Sequence, residues 1–120
     1  MSKMELKEFT KTDWYGYAGV ERFADGSEPM IAGVDVTDNS GVTVIADRTG
    51  VEVNINYDAG DEGDKYFAYS IELGNMSKSL VIEFAKSVVD RINELLDNCN
   101  NCYELKGKLE SEWEVEFDEV

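Results

Sequence analysis

Apolar and polar side chains alternate through the first three-fifths of the chain, the mark of strands with one face to bury. Val42, Val44 and Ala46 alternate with Thr43, Ile45 and Asp47. Val51, Val53, Ile55 and Tyr57 alternate with Glu52, Asn54 and Asn56, and Phe67, Tyr69, Ile71 and Leu73 form one further face. Between these runs lie Asp38-Asn39-Ser40-Gly41, Asp47-Arg48-Thr49-Gly50 and the longer Asp58 to Asp64, clusters whose glycines supply the positive φ of tight turns. Short loops make neighbouring strands antiparallel. Met30 to Val36 reads as another strand, and the turn signal Asp25-Gly26 separates it from an aromatic segment, Trp14 to Phe23, read as the first. The expectation is a meander of five strands.

The period then changes. After Ser77, a candidate N-cap, the residues Leu80, Val81, Phe84, Ala85, Val88, Val89, Ile92, Leu95 and Leu96 recur at helical spacing. Glu83, Lys86, Asp90, Arg91 and Glu94 fall on the other side, so the pattern predicts one amphipathic helix over residues 77–98 lying on the sheet. The breadth of its apolar stripe reads as core packing, with a partner-binding groove as the alternative. Asn98, Asn100 and Asn101 end it, and after Gly107 the alternation of Trp113, Val115 and Phe117 with acids predicts a last, acidic strand. The fold class is a single α+β domain over residues 1–120, an antiparallel meander with one helix packed on it and a C-terminal acidic strand.

Charge changes the picture most. Among 120 residues there are 26 Asp and Glu, 11 Lys and Arg and no His, a formal net charge of −15. Such a surface repels nucleic-acid phosphates and anionic lipid, so direct binding to nucleic acid or membrane is disfavoured and a basic protein partner is attracted. The missing histidines remove Ser-His-Asp and Cys-His catalysis and histidine-bound zinc. No nucleophile and base, metal set or cofactor loop emerges; a non-enzymatic protein without cofactor or metal is expected. The N-terminal run MSKMELKEFTK has no apolar stretch of signal-peptide length, which predicts a cytoplasmic location.

Four features are candidates for function. Glu110, Glu112, Glu114, Glu116 and Asp118 occupy alternate positions, which on a strand would line one face with carboxylates roughly 6.6 Å apart, at a rise of about 3.3 Å per residue. That row reads either as a charged edge that blocks association or as an imitation of a phosphate backbone. Asp58, Asp61, Glu62 and Asp64 form a second acidic cluster. It fails as a calcium loop, because Gly60 and Tyr69 stand where an EF-hand needs oxygen donors, and reads as a charged hairpin or part of an acidic surface. Cys99-Asn100-Asn101-Cys102 has redox spacing but follows the end of a helix, where the dipole and neighbouring acids raise a thiol pKa; structural thiols are expected, with linkage between chains as the alternative. In Trp14-Tyr15-Gly16-Tyr17-Ala18-Gly19, Trp14 and Tyr17 read as strand core or as an interface hot spot.

In size, charge and the row Glu110 to Asp118, the chain resembles the small acidic phage-encoded inhibitors of host defence, anti-CRISPR proteins and other DNA mimics. The resemblance implies an inhibitor in the host cytoplasm whose carboxylates occupy the basic nucleic-acid channel of a nuclease or other effector. It is carried by the acidic row and, less directly, by the Asp58 to Asp64 loop. The helix is nearly balanced in charge, so mimicry would be sheet-based. Immunity proteins that neutralise basic toxins and acidic regulatory or assembly modules share the same features. The protein is expected to act as a monomer or homodimer.

Overall fold

Val42, Val44, Val53 and Ile55, alternating along two neighbouring strands, form the almost solvent-free centre of the molecule. In the computed structural model of the chain, which describes residues 3–17, 19–37 and 39–120, they belong to a six-stranded antiparallel sheet in sequence order. Its strands are β1 (Lys7–Glu8), β2 (Met30–Thr37), β3 (Ser40–Asp47), β4 (Gly50–Asp58), β5 (Asp64–Glu72) and β6 (Asp118–Glu119). Helices α1 (Lys11–Gly16), α2 (Lys78–Leu96) and α3 (Cys102–Trp113) complete the α+β fold. Asp38 of the first expected turn and Ala18 of the aromatic segment lie outside the described residues.

The register of β3, β4 and β5 follows the alternation read from the sequence. Val44 faces Val53, which faces Tyr69, so all three runs turn their apolar side chains to one face. On that face lie Val81, Ala85, Val88, Val89, Ile92 and Leu96 of α2. Ser77 caps this helix, its Oγ accepting from the Leu80 amide at 3.4 Å, close to the predicted start. No described helix is long and apolar enough to cross a membrane.

Two expectations are corrected. Trp14 to Phe23 is not a strand: residues Lys11–Gly16 form α1, and the first strand is the short β1 that pairs Lys7 with Ile31. The cause is a capping box. Thr10 Oγ1 accepts from the Asp13 amide at 3.4 Å, while the Asp13 carboxylate accepts from the Thr10 amide at 2.7 Å. That bond is the main reason the Asp13 carboxyl titrates below its usual range. The segment covers the opposite face of the sheet, where Phe9, Ile31 and Ile45 form a second small core with Trp14, Tyr17 and Val20. A partial third layer results.

The second correction concerns the C-terminal strand. Residues Cys102–Trp113 are helical, and only Asp118 and Glu119 pair with the sheet, opposite Ala68 and Phe67. Asn101 is the N-cap, its Oδ1 accepting from the Glu104 amide at 2.8 Å, and Glu104 accepts in return from the Asn100 amide at 2.9 Å. Leu105 and Leu109, four residues apart, carry α3 into the main core. Gly107 sits inside this helix on its exposed side, with open space where a Cβ would go. Replacing it, Gly107→Ala, is expected to raise stability by about 0.5–1 kcal/mol in urea unfolding, because alanine loses less backbone entropy on entering a helix. Unchanged or lower stability would contradict that account.

Candidate functional site

The acidic row does not exist as a row. Glu110 and Glu112 lie on α3, Glu114 closes the helix in the left-handed conformation at φ 55°, and Asp118 alone is in a strand. Glu110 is half-buried and structural: one oxygen meets Lys106 Nζ at 3.1 Å and the other accepts from the Phe117 amide at 2.8 Å. Glu112 is held by Arg91, whose Nε lies 2.9 Å from its carboxylate, and this contact pulls the Glu112 carboxyl below its ordinary range. Glu114 and Glu116 remain exposed. A two-residue period and a four-residue period both fit residues 105–117, and the capping bonds between Asn101 and Glu104 start the helix that carries Leu105 and Leu109 into the core.

Trp14 and Tyr17 are also engaged internally. The Trp14 ring lies 5.3 Å from Phe9, its Nε1 donates to Glu28 at 2.9 Å, and the Arg22 guanidinium sits over it at 5.5 Å. Tyr17 stands edge-on to Phe9 and bonds Thr43 Oγ1 at 3.3 Å. Both rings are half-buried in the second core.

What the fold does bring together is the acidic loop and the C-terminal strand. Asp58 ends β4, Gly60–Glu62 form a single 3-10 turn, and Asp64 opens β5. Asp58 shapes this hairpin by accepting from the Gly60 amide at 2.8 Å. Pairing of β6 with β5 then brings Glu119 towards the same end of the sheet, while Asp118 lies opposite Ala68 at the middle of β5. Lys65 marks the junction, 3.9 Å from Glu62 and 3.4 Å from Glu119. Asp58, Asp61, Asp64 and Asp118 make no ion pair among the described residues and are exposed.

Aromatic side chains line the ground beneath these acids. Tyr57 stacks on Phe67 at 5.7 Å and meets Tyr103 edge-on at 5.7 Å. Together with Asp58, Glu62, Lys65 and Glu119 they line a cavity of about 340 Å³. Tyr103 is 64% exposed, an unusual position for a large ring. The asparagines after residue 97 read as a helix end and hide it; the Asn101-x-x-Glu104 spacing is the sequence signal that places it on the first turn of α3.

The cysteines are free and buried. Cys102 opens α3, a position whose dipole favours a thiolate, yet burial dominates and pushes its thiol up to about 11. Cys99 is likewise raised, chiefly by burial. The helix-end placement expected for the pair holds for Cys99 alone. On the open face of the sheet, Glu52 is pushed up by burial and by Asp47 in a cleft of about 700 Å³. Asp47 itself is committed to the turn, accepting from the Thr49 amide at 2.8 Å and the Glu21 amide at 3.2 Å.

The geometry therefore defines an α+β protein with an acidic, aromatic-floored sheet end. Compared with known proteins, the chain matches no family model, no curated sequence and no solved structure.

Proposed function

We propose that the protein is a non-enzymatic acidic inhibitor that docks the loop end of its sheet on the basic, nucleic-acid-binding surface of a partner protein, such as a nuclease or defence effector. The observation that carries this reading is the convergence of Asp58, Asp61, Glu62 and Asp64 with Glu119 around Lys65. A net charge of −15 steers a basic partner over a long range, and a local concentration of unpaired carboxylates fixes where it lands. Tyr103 and Tyr57 add apolar area at the same place, where rings contribute more to binding than rim charges do. The mimicry, in this form, is of local phosphate density rather than of a regular row.

The test begins with capture from the cognate cytoplasm at low and higher salt, with mass spectrometry of what elutes. A nucleic-acid-binding protein released by salt and competed by DNA is the expected result; a salt-resistant metabolic enzyme or toxin would overturn it. With the partner in hand, Asp61→Lys/Glu62→Lys/Asp64→Lys is expected to weaken binding by about 100-fold or more, since reversing several steering charges acts on both encounter and complex. The triple variant Glu5→Lys/Glu8→Lys/Asp90→Lys changes net charge equally at exposed positions elsewhere. Equal loss in both variants would show that net charge, not this end of the sheet, governs binding.

A further inference from the structure

The apolar stripe of α2 is wider than the sheet that covers it. Val81, Ala85, Val88 and Ile92 face the core, while Leu80 and Phe84 stand 46% and 37% exposed on the neighbouring side of the helix. The reason lies in the sheet. Among the described residues no strand pairs with the outer edge of β5 beyond Ala68, because β6 comprises only Asp118 and Glu119. A groove of about 460 Å³ runs there between helix and edge, lined by Tyr69, Ile71, Phe84, Val88, Trp113 and Val115. Its volume falls within the about 300–1,000 Å³ of sites that enclose ligands or anchoring side chains.

The rim is acidic. Glu94 and Glu112 stand at its edge through their bonds to Arg91, Glu83 flanks the groove side of α2, and the exposed Glu114 and Glu116 adjoin Trp113 and Val115 in sequence. Arg91 is the basic residue lining the groove, and it is bound to Glu94 at 3.1 Å and to Glu112, so it offers no free cation.

We propose that this groove docks an amphipathic segment of a partner protein, large apolar side chains filling it and flanking lysines or arginines meeting the acidic rim. A second copy of this chain is the poorer occupant. Two-fold pairing would set the same acidic rim against itself on molecules that each carry −15. The groove goes beyond the charge-driven docking proposed above, since its energy comes from apolar burial and survives salt.

Two synthetic peptides test it. One has leucine and phenylalanine at positions i, i+4 and i+7 between lysines; the other has serine in their place and the same charge. Trp113 reports occupancy by fluorescence in a Trp14→Phe background, where it is the remaining one of the two tryptophans. The apolar peptide is expected to bind at least about tenfold more tightly at physiological ionic strength and to shift Trp113 emission to the blue, as a buried anchor does. Phe84→Ser, at a partly exposed position lining the groove, is expected to remove that difference while the variant still unfolds cooperatively on heating. Equal affinity of the two peptides, or a difference that survives Phe84→Ser, would overturn the proposal. A dimer in sedimentation that Phe84→Ser dissociates would also overturn it, assigning the groove to a second copy. Failure of the serine peptide to bind even at low salt counts instead against the acidic docking surface.

Discussion

Gly50→Ala is expected to cost about 4 kcal/mol or more, a large fraction of the stability of a domain of this size. Gly50 opens β4 at φ 142°, where an L side chain is strained. A Cβ built there would lie 2.0 Å from the Ile71 carbonyl oxygen and 2.8 Å from the Leu73 nitrogen. Both obstacles are backbone, so no rotamer change relieves them. The Leu73 amide is also committed, donating to the Thr49 carbonyl at 2.9 Å, and moving β5 away would break that bond along with the Gly50–Glu72 pairing. Urea unfolding of the purified variant checks this. A loss under about 1 kcal/mol would mean that the turn can be rebuilt around alanine.

Asn93→Asp is expected to convert a neutral clamp into a pH-dependent one. Asn93 is 8% exposed, accepts from the Met4 amide at 2.8 Å and donates to the Met4 carbonyl at 3.0 Å. An aspartate could keep the first bond, but ionised it would set an oxygen against the Met4 carbonyl with no proton between them. Only the protonated acid can donate there, so the folded-state pKa of the new carboxyl must rise above its unfolded value of about 3.9. Because the folded state then binds the proton more tightly, the variant is closest to the parent below about pH 3.9 and loses stability as pH rises through the window between the two values. Above the folded pKa the deficit is level, at about 3 kcal/mol or more, as for other uncompensated buried charges. Subtracting the parent's unfolding free energy at each pH isolates the effect from the other carboxylates. A pH-independent difference would refute the mechanism.

Most of the architecture was legible because one physical pattern governed it. In β3, β4, β5 and α2 each apolar period has a single solution, and the sheet register and the helix follow it to within three residues of the expected bounds. Residues 11–16 and 102–113 were misread for a common reason. Their short apolar patterns fit two periods, and the decision rests on capping bonds, Thr10 with Asp13 and Asn101 with Glu104. The acidic site was legible in part. Asp58 to Asp64 stands on a hairpin as read, whereas the joining of that hairpin to Glu119 through Lys65 spans 54 residues and has no local signal. Tyr103 became visible only with α3 in place. Leu80 and Phe84 were placed in the core because periodicity records which way a helix faces, not how far the sheet extends beneath it.

The unbroken strand order has a consequence for how the chain acquires its shape. From β2 to β5 every pairing joins sequence neighbours across a short turn, so these strands can zip together hairpin by hairpin with little loop-closure entropy. During synthesis that core sheet can pair before α2 has left the ribosome. Contacts of long sequence separation include Met4 to Asn93, 89 residues apart, and Lys65 to Glu119. The second needs residues 118–119, so during synthesis the acidic end of the sheet is completed only after α2 and α3 have emerged.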